Sequence, residues 1–226
     1  MSITLYSNFV NSAGERVRIA LALKGIAYDY VSVREIGYAA YRKINPQALM
    51  PTLTVNGLPI AQATAILEYL EEAYPSPRLL PADPILRAQA RGFAQHIVSE
   101  MHAVDVIRIR RFLHNRLGVD ESGLEAWQHH WFKVGFQALE AQLASRDRAT
   151  AFCFGDRPGW ADLHLVPQAR KAIERFKIDM SPYPLLHGVY AAAARHPAFL
   201  AATPERQPDY AGPFKEPSLD KPEGMW

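Results

Sequence analysis

RKINPQALMPTLTVNGLPIAQATAILEYL, residues 42–70, is the stretch whose reading decides the fold. Met50-Pro51 stands between a polar loop and the short β-branched run Thr52 to Val55. A cis X-Pro bond there would turn the Met50 backbone outward and expose one N–H beside one C=O. Asn56-Gly57 reads as a tight hairpin turn between two short strands, because both residues tolerate the positive φ that such a turn needs. Gln62 then opens a helix whose apolar positions include Ala65, Ile66 and Leu70. A helix start at that point would offer backbone N–H groups to an anion. The stretch thus reads as a binding site made from backbone rather than from a catalytic triad.

Working outward, Ile3 to Ser7 and Tyr28 to Val33 alternate apolar and polar residues like half-buried strands. Arg16 to Lys24 between them is helical, closed by Gly25 just past its end. With the hairpin and the helix Gln62 to Tyr74, the order becomes β-α-β-α-β-β-α, a thioredoxin-like layout whose second helix is short, near Ala39 to Lys43. Pro75, Pro77, Pro81 and Pro84 mark a linker. Beyond it, 85–116, 122–145, 160–174 and 184–195 carry helical periodicity. The expected organisation is an α/β domain over 1–76, an all-helical domain over 85–206 and a Pro-rich tail over 207–226. The tail's Pro208, Pro213, Pro217 and Pro222 oppose regular structure, and it ends in Met225-Trp226.

Composition narrows the function. A chain of 226 residues with 49% hydrophobic content can bury a sizeable core. Its net charge of +2 gives no case for a nucleic-acid partner. The basic run Arg108, Arg110, Arg111, His114, Arg116 reads first as one helix with a solvated side, and otherwise as a site for an anionic small molecule. Cys153 is the only cysteine, so neither an internal disulfide nor a Cys-pair metal site is expected. His129-His130 lack a partner at i+4, so no metal site is expected there either. No charged leader with an apolar core opens the chain and no long apolar run follows, which fits a reducing, cytoplasmic compartment without membrane attachment.

Residues 42–70, together with LYSNFVNSAGERVRIALALKGI (5–26) and ERFKIDMSPYP (174–184), resemble the glutathione transferases of the zeta class, the maleylacetoacetate and maleylpyruvate isomerases. The likeness runs from Ile3 to Asp209. It implies an N-terminal thioredoxin-like domain that binds glutathione, a C-terminal helical domain that binds an electrophile, and a homodimer. In FGDRPGWADLHL (154–165), Asp162 follows Gly159 by three residues. It can therefore accept the Gly159 N–H as half of a capping box, a structural role rather than a catalytic one.

A glutathione enzyme must hold a thiol of pKa about 8.5–9 as thiolate near neutral pH, so a donor or a helix start has to stabilise the charge. The turn Asn11-Ser12-Ala13-Gly14 supplies both. Zeta enzymes read Ser-Ser-Cys at the positions of Asn11, Ser12 and Ala13. An Asn amide can still donate to a thiolate and Ser12 keeps a hydroxyl, so either residue is a candidate; the bland alternative is an N-cap pair. For glutathione itself the resemblance implies Gln47, Met50, Pro51, Gln62 and Ala63. Ala63 replaces a Ser that normally binds the γ-glutamyl carboxylate, and Thr64 is the nearest substitute. For the electrophile it implies His102, Arg108 and Arg175, guanidinium forks being suited to carboxylates. His102 and Arg108 would lie about 120° apart on one straight helix, so both can serve one site only if the site wraps the helix or the helix bends. Val10 stands where bacterial relatives carry an Arg, and the segment between Val33 and Asn45 is shorter than theirs. Both point to a less acidic or larger substrate. The expected activity is cis–trans isomerisation of an activated double bond through a glutathione thiolate, with conjugation, dehalogenation and ether cleavage open to the same site. The alternative is a non-catalytic member that binds ligands or a protein partner.

Overall fold

Alternation of buried and half-buried residues along Ile3–Ser7 builds the central strand β1. It pairs in parallel with β2 (Asp29–Ser32) and antiparallel with β3 (Thr52–Val55), which turns back into β4 (Leu58–Ala61), so the sheet order is β2-β1-β3-β4. Asn56 and Gly57 take φ of 49° and 83°, the two positive values of a type I′ turn, and the register closes with Val55 opposite Leu58. Between β1 and β2 runs α1 (Ser12–Lys24), ended by Gly25 in the left-handed conformation. The parallel pair and its helical crossover are the β-α-β unit expected from the sequence.

The structure is a computed structural model that describes residues 1–215 and 217–220; Pro222, Met225 and Trp226 lie outside the described residues. Two compact units divide the chain, the first comprising 1–79 and 194–214, the second 80–193 and the residues from Lys215 onward. Residues 194–206, grouped above with the helical part, cluster with the first unit because α11 (Pro197–Ala201) packs on α1. That second covering explains why α1 buries every residue from Gly14 to Leu21, including Arg16 and Arg18. The core of this unit joins Leu5 and Leu53 of the sheet to Val17 and Leu21 of α1. It also takes Ile66, Leu67 and Leu70 of α4 (Ala63–Ala73), whereas Ala65 is exposed. Where one short helix was expected there are two, α2 (Val33–Ile36) and α3 (Tyr38–Ile44), because Gly37 interrupts them at φ 79°.

The second unit is helical. The periodicity over 85–116 predicts a single helix. The chain instead forms α5 (Pro84–His96), a π-helical turn (Ile97–His102), α6 (Ala103–Asp105) and α7 (Ile107–Leu117). Pro84 belongs to the helix rather than to the linker, as its first residue, with Asp83 capping Ile85 and Leu86. The break falls at Val106, which is extended. Its cause is tertiary. Buried Asp105 is tied to α9 (Trp160–Phe176) by Gln168 at 3.0 Å and by Lys171. The carbonyl of Val104 is taken up by Trp127 Nε1 at 2.9 Å from α8 (Glu121–Ala144). Also on α8, Gly135 admits Met101 of the π-turn, since a Cβ there would sit 2.8 Å from Met101 Cε. A last helix, α10 (Pro184–Ala193), packs on α8 and α9. Among the described residues no helix is long and apolar enough to cross a membrane.

Asp162 takes the predicted structural place. It is buried and accepts the N–H groups of Gly159 and Cys153, each at 2.8 Å, joining the irregular segment before α9 to the helix start. Asp162→Ala leaves the buried Cys153 N–H and the part-buried Gly159 N–H without their acceptor and should lower unfolding free energy by about 2 kcal/mol. Urea denaturation reads the change, and a loss near zero would mean that water replaces the carboxylate.

Candidate functional site

The first turn of α1 is tightly constrained by its cap and by Gly14. Asn11 is its N-cap, extended at φ −133°, and its Oδ1 accepts the N–H of Gly14. Gly14 is required there, because a Cβ would run into Ser7 Oγ and lie 2.9 Å from Asn11 Oδ1. With Oδ1 accepting in the cap, the amide nitrogen of Asn11 is the end of the side chain that can donate. Ser12 follows as the first helical residue, half-buried, at the positive end of the helix dipole. Capping and donation, weighed above as alternatives for Asn11, are thus compatible uses of its two ends.

Gln47, Met50, Pro51, Gln62 and Ala63 gather around the loop before β3 and the start of α4. The Met50-Pro51 bond is cis. Gln62 sits at φ 72°, ψ 122°, a conformation that costs a non-glycine residue about 1–3 kcal/mol and that clusters at ligand clamps. Its side chain is exposed and donates to Gln47 Oε1 at 2.9 Å. Ala63 is the first helical residue and is buried. The first backbone N–H groups of α4 have no acceptor within the helix, so a carboxylate fits at this end. Asn45 and Tyr41, which sequence reasoning missed, fix the loop. Asn45 Nδ2 donates to the Leu49 carbonyl and Thr52 Oγ1, at 2.8 and 3.0 Å, and its Oδ1 accepts the Gln47 N–H at 3.1 Å. Tyr41 Oη donates to the same Leu49 carbonyl at 2.8 Å. The signal available was Asn45-Pro46, a turn-forming pair.

In the second unit the candidate electrophile residues are distributed differently. His102 closes the π-helical turn, half-buried, and such turns recur at functional positions. Arg108 is exposed on α7, while its neighbours Arg110 and Arg111 are buried. The run does form one helix with a solvated side at Arg108 and Arg116, and the reading is corrected for Arg110 and Arg111. Arg111 donates to the Ser218 carbonyl at 3.0 Å, and Asn115 to that of Leu219 at 2.8 Å, so the tail covers part of the helix. Arg110 joins Arg175. Around the ring of Phe176 the guanidinium carbons of Arg175 and Arg110 lie 4.9 and 5.7 Å from the centroid, and Lys171 Nζ lies at 5.7 Å. Burial lowers the pKa of Lys171 to about 8, with Arg175 and Arg110 adding to the effect and Asp105 opposing it. Lys171 is therefore still charged at neutral pH. Sequence reasoning placed Arg110 only within the basic run and missed Lys171, although Lys171 stands four residues before Arg175 on one helix face. Cys153 is buried and its thiol is pushed well up by burial, with Asp162 adding to the shift, which removes it as a nucleophile.

Residues 5–78 match the family model for the N-terminal domain of glutathione S-transferases. A maleylpyruvate isomerase of a Ralstonia species is 40% identical over 211 residues, covering 92% of this chain and 99% of its own. Among solved structures, a holo maleylpyruvate isomerase, a bacterial zeta-class glutathione S-transferase, superposes with a TM-score of 0.88 at 40% identity, over 92% of this chain and all of that one. A maleylacetoacetate isomerase of Anaeromyxobacter dehalogenans with bound glutathione gives 0.81 at 37% identity, over 92% and 98%. The chain belongs to the glutathione transferases, in the zeta class together with these isomerases.

Proposed function

We propose that this protein is a glutathione-dependent enzyme that isomerises, or transfers the thiol to, a small molecule bearing an activated double bond. The observation that carries the reading is Gln62, held at positive φ at the start of α4 with its side chain bonded to Gln47. Strain of that kind is retained where a ligand uses it. When bound, glutathione supplies a thiol nucleophile whose reversible addition lets a double bond rotate. Gln62, Gln47 and the backbone at Met50 and Ala63 would hold its polar groups, and the Asn11 amide and Ser12 hydroxyl would donate to the sulfur at the start of α1. Arg175, with Arg110 and Lys171 beside it, would bind a carboxylate or stabilise negative charge developing on the electrophile; His102 and Arg108 remain candidates from the family pattern. These cations favour a carboxylate-bearing substrate, although Val10 supplies no charge. The non-catalytic alternative draws on Asn11, Ala13 and Ala63, and the donors retained at both helix starts weigh against it.

The two groups of residues should separate in binding and kinetics. Gln62→Ala should weaken glutathione binding about tenfold by calorimetry, since it removes a charge-assisted bond. Arg175→Ala should leave that constant nearly unchanged. It should instead raise the KM or lower the kcat for a carboxylated cis-enone, with little recovery in Arg175→Lys, which lacks the planar fork. Absence of saturable glutathione binding at millimolar concentration would end the enzyme reading; equal losses for both ligands in the Arg175 variants would remove that residue from the site.

The reading includes a cytoplasmic homodimer, on the strength of the family resemblance. Sedimentation should give a species of twice the chain mass, and a lone species at the single-chain mass would contradict it.

A further inference from the structure

The loop Asn8–Val10 joins β1 to the cap of α1, so whatever fixes it also fixes Asn11 and Ser12. Its peptide groups are gripped from two sides. The N–H of Phe9 donates to Asp209 Oδ2 at 3.1 Å, and the carbonyls of Phe9 and Asn8 accept from Arg18 Nη2 and Nη1 at 3.3 and 3.4 Å. Asn8 Oδ1 accepts the Arg34 N–H at 3.1 Å. The Phe9 ring meets Tyr210 edge-on at 5.5 Å and has the Arg34 guanidinium 5.6 Å from its centroid.

Each grip is itself anchored. Arg18, 1% exposed, lies seven residues after Asn11 on the same face of α1 and donates twice to the Ala202 carbonyl, at 3.1 and 3.0 Å. Asp209 also accepts from Tyr30 Oη at 2.9 Å and Ser32 Oγ at 3.0 Å, on β2 and at its end. Burial raises the Tyr30 pKa and the bond to Asp209 raises it further, so the phenol stays a donor. Gln207 shapes the turn before Asp209 by donating to the carbonyls of Ala201 and Thr203, at 3.0 and 2.8 Å. The residue Phe9 is thus held with its N–H on a carboxylate and its C=O on a guanidinium, both bonds charge-assisted. A carboxylate from the far end of the chain has no need to enter this loop for α1 to form, because Asn11 already caps it.

We infer that Asp209 is a positioning residue for thiol activation: with Arg18 as its counterpart, it fixes the Phe9 peptide and thereby aims Asn11 and Ser12 at the sulfur. The inference rests on the function proposed above. It makes the segment 202–210 a working part of the glutathione-binding unit rather than a trailing end.

The test compares wild type with Asp209→Asn, reading the ultraviolet titration of the bound glutathione thiol, the glutathione dissociation constant and kcat. Asp209→Asn leaves one acceptor oxygen for three donors and takes the charge from the bond to the Phe9 N–H. It should raise the bound-thiol pKa by about one unit and lower kcat about tenfold near neutral pH, the same factor in thiolate fraction. Glutathione affinity should change less than about threefold, since Gln47, Met50 and Gln62 lie on other elements. Tyr30→Phe combined with Ser32→Ala removes two anchors but keeps the Asp209–Phe9 bond, and should shift the thiol pKa by less than Asp209→Asn does. A folded Asp209→Asn protein with wild-type thiol pKa and kcat would overturn the inference, as would an equal shift in the double variant. Should Asp209→Asn not fold, hydrogen exchange of the wild-type Phe9 amide decides: protection above that of an exposed loop amide supports the grip, and its lack overturns it. A wild type whose bound thiol titrates like free glutathione would instead sink the functional reading.

Discussion

Everything proposed for this protein depends on one close approach, that of the end of β1 to the first turn of α1. Gly14 lets the helix start lie against Ser7, and Asn11 closes the turn by capping Gly14. A cap of this kind stabilises a helix by about 1 kcal/mol. Its larger consequence is directional, because the carbonyl end of Asn11 is committed inward and the donor end is left at the positive pole of α1. A Ser at that position would accept and donate through one hydroxyl oxygen, whereas an amide has separate atoms for each. The departure from Ser-Ser-Cys is therefore a rearrangement that keeps a donor at the helix start.

The two units use different chemistry. In the first, the recognition we propose rests on backbone and amides: the Met50 backbone, the strained Gln62, the start of α4 and a loop pinned by Asn45 and Tyr41. Neutral groups of this sort suit a ligand with both amine and carboxylate ends. The second instead gathers Arg110, Lys171 and Arg175 about Phe176, with Asp105 bonded to Lys171. Charge held beside a ring and partly out of water acts more strongly on an incoming anion than the same charge on an open surface.

What was legible in the sequence was local. Asn56-Gly57, Gly25, Met50-Pro51 and the Gly159–Asp162 pair each carry their conformation in their own chemistry, and each takes the expected form. The break at Val106 was not legible, because no Gly or Pro marks it; Asp105 reaching α9 and Trp127 reaching Val104 make it, and both lie far off in sequence. That break falls between His102 and Arg108, so the two do not share one straight helix. The burial of Arg18 and Arg111 was hidden for the same reason, since their acceptors at Ala202 and Ser218 come from the chain's last segment. A charged residue reads as solvated until its distant partner is known.

The central claim is that the start of α1 holds a glutathione thiol as thiolate. Ultraviolet titration of wild-type protein saturated with glutathione tests it directly, because thiolate absorbs where thiol does not. The account predicts a midpoint at least about one unit below the free-thiol range of about 8.5–9. It also predicts a partial return toward that range in Asn11→Ala and in Ser12→Ala, and a fuller one in the double variant. A wild-type midpoint equal to that of free glutathione would contradict the claim.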